Sequence, residues 1–94
     1  MIKWIYKPEG YCPVQSEGYF LGYYFYFRSR YNKATIEFAK SEDDWNKDNI
    51  IQRYLLWKTV DYKAGYLNYN FSKLLIYFGC FKFFLNGHKK EKSL

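Results

Sequence analysis

Between residues 23 and 40 the chain alternates with the period of a β-strand. Tyr23 to Arg30 (Tyr-Tyr-Phe-Tyr-Phe-Arg-Ser-Arg) and Ala34 to Lys40 (Ala-Thr-Ile-Glu-Phe-Ala-Lys) are rich in β-favouring residues, and Tyr31-Asn32-Lys33-Ala34 offers a turn between them. This pattern predicts a β-hairpin. With Asn32-Lys33 as its loop, Tyr31 pairs with Ala34, Phe27 faces Phe38 and Arg28 faces Glu37. Successive side chains on a strand point to opposite faces. One face therefore collects Phe25, Phe27, Ile36 and Phe38, and the other Tyr24, Tyr26, Arg28, Arg30, Thr35 and Glu37. A slip of one residue would scatter both sets.

The flanking segments read less sharply. Residues 2–6 (Ile-Lys-Trp-Ile-Tyr) look like a short strand, and Lys7-Pro8-Glu9-Gly10 fits a tight turn. Cys12 to Gly18 reads as a loop, because Pro13 and Gly18 argue against a central strand. Ser41 is a good N-cap, and Glu42, Asp43 and Asp44 suit the positive end of a helix dipole. A helix over 42–57 follows, with Tyr54 to Val60 open to a strand reading. Lys63-Ala64-Gly65 marks a turn. From residue 71 or 72 to 85, Leu74, Phe78, Phe81 and Leu85 fall at helical spacing, which predicts a second helix. Gly79 weakens that helix by about 1 kcal/mol relative to Ala, and a strand pair is the alternative. Asn86-Gly87 ends the element.

The expected fold is α+β: a small antiparallel sheet built around a 19–41 β-hairpin, an N-terminal strand at its edge, and one or two helices on one face. Residues 1–87 form the expected single domain and 88–94 a flexible basic tail.

Composition adds one question. The chain has 94 residues, and 12 Tyr, 9 Phe and 3 Trp make it 26% aromatic. Each such side chain can bury about 150–250 Å², and a small domain has a thin core. The phenylalanines, with no polar handle, are expected inside, which leaves tyrosines at the surface. Lys, Asn, Ile, Phe and Tyr are also the residues of A/T-rich codons, so low-GC coding is a second source of the Tyr count.

Net charge is +6, which favours anionic partners. The tail Lys89-Lys90-Glu91-Lys92 contributes part of it. Cys12 and Cys80 make no disulfide framework, and the first residues lack a signal-peptide pattern, so a cytoplasmic location is expected. The apolar stretch Leu74 to Leu85 is interrupted by Lys82 and is shorter than the roughly 20 residues a bilayer span needs.

Catalytic patterns are missing. The one histidine, His88, lies in the expected tail. Two isolated cysteines and one histidine give no zinc spacing. The carboxylates Glu42, Asp43 and Asp44 have a helix start to explain them, and neither GxGxxG nor GxxxxGK[ST] occurs. No catalytic residue, metal or cofactor is expected.

The expected function is therefore binding without chemistry. Tyr24 and Tyr26 would stack on a ligand, and Arg28 and Arg30 would contact its anionic groups. The partner would be an anionic nucleotide, a short nucleic acid or a nucleic-acid-binding effector protein. A homo-oligomer would bury surplus rings. Small size, low-GC composition and a basic aromatic surface are the style of inhibitors of bacterial defence encoded by phages and mobile elements. A protein–protein inhibitor or adaptor using Tyr, Trp and Arg, and a small phosphoester-processing enzyme, are the two alternatives.

Overall fold

The computed structural model describes residues 2–10, 13–30, 32–58 and 68–87. Five strands run in chain order: β1 (Ile2–Glu9), β2 (Val14–Phe20), β3 (Tyr23–Arg30), β4 (Lys33–Ala39) and β5 (Gln52–Lys58). They form one antiparallel sheet with neighbours β1-β2-β3-β4-β5. A short helix α1 (Glu42–Asn46) separates β4 from β5, and a long helix α2 (Tyr69–Leu85) follows β5. The expected α+β architecture is present, with β1 at the edge and α2 packed on one face.

β3 has the expected bounds, but the hairpin register differs. Arg30 pairs with Lys33, Arg28 with Thr35, Phe27 with Ile36 and Phe25 with Phe38. Each partner is displaced by two positions from the predicted pairing. A shift of two preserves the faces, so the two sets of side chains are as expected. The partner of Glu37 across β3 is Tyr26 instead of Arg28.

The segment expected as a loop at 12–18 is largely β2. Pro13 lies just before the strand, where it costs no ladder bond. Gly18 has a packing reason: a Cβ there would meet Lys3 O at 2.6 Å and the Phe25 ring at 3.0 Å. The buried positions of β2 are Val14, Ser16 and Gly18, too small and polar to show the hydrophobic period. Its turn into β3 has positive φ at both Leu21 (54°) and Gly22 (83°), the conformation of a tight hairpin turn whose twist matches the strands.

The turn expected at 7–10 is also strand. β1 continues through Pro8 to Glu9, with irregular register between Trp4 and Tyr6 and again between Tyr6 and Glu9. An edge strand and its bulges tolerate proline.

The helix expected over 42–57 stops after Asn46. Its start is as read: Ser41 Oγ accepts from Asp44 N at 3.0 Å. Asn46, Asp48 and Asn49 favour turns over helix, and Asp48 adopts φ 63°. Residues 52–58 instead take the free edge of β4, the strand option that Tyr54 to Val60 left open. An irregularity between Ala34 and Thr35 lets both Leu56 and Trp57 pack on the core.

α2 is the predicted C-terminal helix, capped by Asn68, whose Oδ1 accepts from Asn70 N (2.8 Å) and Phe71 N (3.2 Å). The core lies between α2 and the sheet. Phe25, Phe27, Ile36 and Phe38 meet Leu75, Ile76, Cys80 and Phe83 there. Phe38 and Phe83 stack with centroids 4.0 Å apart and planes 8° apart. Gly79 lets the helix approach, since a Cβ would lie 2.8 Å from Ile36 Cγ2 and 3.3 Å from Leu56 Cδ2.

The orientation of α2 overturns one expectation. Leu74, Phe78, Phe81 and Leu85, whose spacing signals a core-facing stripe, are all exposed. The buried stripe is Ser72, Leu75, Ile76, Gly79, Cys80 and Phe83. Both sides of the helix are apolar enough to bury, and the side with small residues wins because it allows the closer approach.

Candidate functional site

The sheet face opposite α2 carries the residues singled out by the sequence. Tyr24, Tyr26, Arg28 and Arg30 do share this face, but not one role. Tyr24 is fully buried. Its hydroxyl donates to Glu17 Oε1, and the Tyr6 hydroxyl donates to Glu17 Oε2 at 2.8 Å. Burial, and next the Glu17 acceptor, push both phenols well above the usual tyrosine range. Trp45, carried by α1, closes the corner, with its ring 5.7 Å from Tyr24 and 4.7 Å from Tyr26. The Tyr24 ring is thus sealed and offers no stacking surface, a correction to its expected role. Tyr26 is half-buried beneath Trp45. Its phenol is also pushed up by burial, with Arg28 acting in the opposite direction.

Trp45 is held by the same acid that was read as the partner of Arg28. Its Nε1 donates to Glu37 Oε1 at 2.8 Å, and Arg53 Nε pairs with Glu37 Oε2. Arg28 is exposed and lies across from Gln15 on one side and Thr35 on the other.

One end of this face is cationic. Arg30 pairs with Lys33, and Lys33 pairs with Lys58. Directly opposite residues of an antiparallel pair share a face, so these three cations form a row across β3, β4 and β5. Arg28 stands two residues along β3 from the row. Strands are about 4.8 Å apart, and alternate residues on one strand about 7 Å. Among the described residues, no carboxylate forms an ion pair with Arg28, Lys33 or Lys58. Like charges directly opposite one another destabilise a sheet; Lys33 and Lys58 of the row are exposed, and Arg30 is half-buried. Lys33 and Lys58 were missed from sequence because residues 54–60 stood open between helix and strand and the hairpin pairing was two positions off.

A second surface lies on the outer side of α2. Between Leu74 and Leu85 every exposed residue of the helix is Leu, Tyr or Phe: Leu74, Tyr77, Phe78, Phe81, Phe84 and Leu85. Lys73 and Lys82 are half-buried, and Lys82 Nζ lies 5.0 Å from the Tyr54 centroid and 5.7 Å from that of Phe78. Beside this surface is an apolar groove of about 670 Å³ between α2 and the β1 and β2 ends, lined by Ile2, Trp4, Phe20, Tyr77, Phe81 and Phe84 among others. Among the described residues the exposed rings lie on the helix, and four of them are phenylalanines (Phe71, Phe78, Phe81 and Phe84).

No reacting group stands out among the described residues. No cluster of three or more His, Cys, Asp or Glu is placed to hold a metal. Cys80 is buried, and burial pushes its thiol up to about 12, away from the reactive thiolate. Cys12 and the tail with His88 lie outside the described residues. No described helix is long and apolar enough to cross a membrane. The sequence matches no protein-family model, and neither a curated protein nor a solved structure is significantly similar to it.

Proposed function

We propose that the protein is a non-enzymatic binding protein that captures a short single strand of nucleic acid on the open face of its sheet. The carrying observation is the cationic row Arg30–Lys33–Lys58 with Arg28 beside it. Guanidinium and ammonium groups spaced along an exposed face suit a run of phosphates. An open sheet surface supports a track for a polymer backbone better than an enclosed site for one mononucleotide. Tyr26 and Trp45, both partly exposed at the far end of this face, are the rings available to bases. Capture without turnover fits the inhibitor role drawn from the chain's size and composition, either sequestering a nucleotide signal or occluding a nucleic-acid-binding effector.

The test is titration of a labelled single-stranded oligonucleotide at several salt concentrations. Binding should weaken steeply with salt. The variants Lys33→Gln and Lys58→Gln should each lower the slope by about 0.7 for one lost phosphate contact. Arg28→Ala with Arg30→Ala should weaken binding at least tenfold while the fold is retained. Absence of salt-dependent binding, or a slope unchanged in all these variants, would remove this reading. A thermal shift with mononucleotides but none with oligonucleotides would replace the strand with a nucleotide.

A second reading, protein–protein binding, is favoured by the apolar outer side of α2.

A further inference from the structure

We infer that the outer side of α2 is a self-association surface, on which two copies of the chain pair their α2 helices antiparallel about a two-fold axis. The inference stands on the helix alone and does not depend on the ligand of the sheet face.

Size comes first. Leu74 is 62% exposed, Tyr77 50%, Phe78 51%, Phe81 56% and Leu85 63%. Each aromatic ring carries roughly 150–250 Å² and about half of it is open, so with Phe84 and the two leucines this side offers on the order of 600 Å² of apolar surface. The largest apolar patch of a lone soluble domain is about 300–600 Å². A standard interface buries about 800 Å² per partner. The surface reaches the top of the first range and about three quarters of the second.

Spacing comes next. Leu74, Tyr77, Phe81 and Phe84 recur at alternating steps of three and four residues, the seam of a paired helix, and Phe78 with Leu85 widens it along one edge. A two-fold interface must also be self-complementary, with projection and recess on the same surface. The groove of about 670 Å³ lies directly beside the seam and shares Tyr77, Phe81 and Phe84 with it. A ring projecting from one copy thus has a recess to enter on the other, the setting in which interface hot spots form.

The helix dipoles select the direction, because an antiparallel pair opposes them favourably. The result is a four-layered particle, sheet, helix, helix, sheet, with the two cationic sheet faces outermost and pointing away from each other. Two such faces in one particle would raise the apparent affinity for any ligand long enough, or linked, to engage both.

The experiment is sedimentation equilibrium of the full chain, with Phe81→Lys and Leu74→Gln as variants and circular dichroism as the control for folding. The wild-type mass should approach twice 11.6 kDa. Either variant should lower it to the single-chain mass with an unchanged helix signal. Lys33→Gln and Lys58→Gln, on the far face, should leave the dimer intact. A wild type that stays monomeric up to submillimolar concentration overturns the inference. So does a dimer that survives both helix variants. A monomer that instead co-sediments with vesicles of phosphatidylcholine and phosphatidylserine would assign this surface to lipid and equally overturn it.

Discussion

On the side of α2 that meets the sheet, three of the six buried positions are Ser72, Gly79 and Cys80. On the side that meets solvent, from Leu74 to Leu85, the exposed residues are four aromatics and two leucines. A lone domain ordinarily distributes side chains the other way, with the large apolar groups inside. The difference shows that approach distance governed the choice. Ile36 and Leu56 come so close at Gly79 that a methyl group there already meets Ile36 at 2.8 Å. Close approach lets Phe83 stack on Phe38 and fill the interior. The larger residues are then left for another molecule.

This contrast should appear most strongly in a pair of truncations. Phe83→Ala should cost about 3–5 kcal/mol, as for other buried phenylalanines. Phe81→Ala should cost the monomer within about 0.5 kcal/mol, as at an ordinary surface position. Urea unfolding of both, in a background already made monomeric by Leu74→Gln, measures the difference. Equal losses would mean that the two sides of α2 are not distinct.

Gly79→Val should cost about 1–3 kcal/mol by overpacking against Ile36, even though the glycine itself is a poor helix residue. Gly87→Ala, where nothing lies within 4 Å of the added carbon, meets no such crowding and carries only the strain of φ 81°. Thermal melts of the two separate packing from backbone strain. A stabilised Gly79→Val would show that the helix does not sit close.

The sheet face carries an expected effect no larger than that of Gly79→Val, together with a pH signature. Glu17→Gln leaves the buried Tyr24 hydroxyl and the Tyr6 hydroxyl competing for one acceptor, at about 1–3 kcal/mol. Both phenols titrate above their unfolded value, so their contribution is complete below pH about 10 and is lost as pH rises beyond it. Melting temperature should therefore fall on the alkaline side of pH 10 in the wild type, and less steeply in Glu17→Gln. Identical slopes would detach Glu17 from the tyrosines.

The hairpin faces, β3, the Ser41 cap and the C-terminal helix were legible because each depends on local pattern. Period two between 23 and 40 survives a two-position error in pairing, which is why the faces came out right while the partner of Arg28 did not. β2 was illegible because its inward positions are Ser16 and Gly18, whose purpose is visible only once Lys3 and Phe25 stand against them. β5 was only half legible, as a strand option over Tyr54 to Val60, because Ile50, Ile51, Tyr54, Leu55 and Trp57 give an equally good apolar side to a helix, and only the vacant edge of β4 decides. The candidate site suffered accordingly. Arg28 and Arg30 were placed on the right face, Tyr24 was assigned a surface role while tertiary packing seals it, and Lys33 and Lys58 joined the row only through strand pairing. The side of α2 facing the sheet was not deducible from periodicity, since both sides are apolar.

Hydroxyl-radical footprinting of the full chain over a range of protein concentrations tests the contrast most directly. In dilute solution Leu74, Phe78, Phe81 and Leu85 should be oxidised readily and Ile76 and Phe83 protected. At high concentration the first group should become protected and the second should not change. Modification of Phe83 as fast as Phe81, or an outer side whose reactivity ignores concentration, would contradict the account.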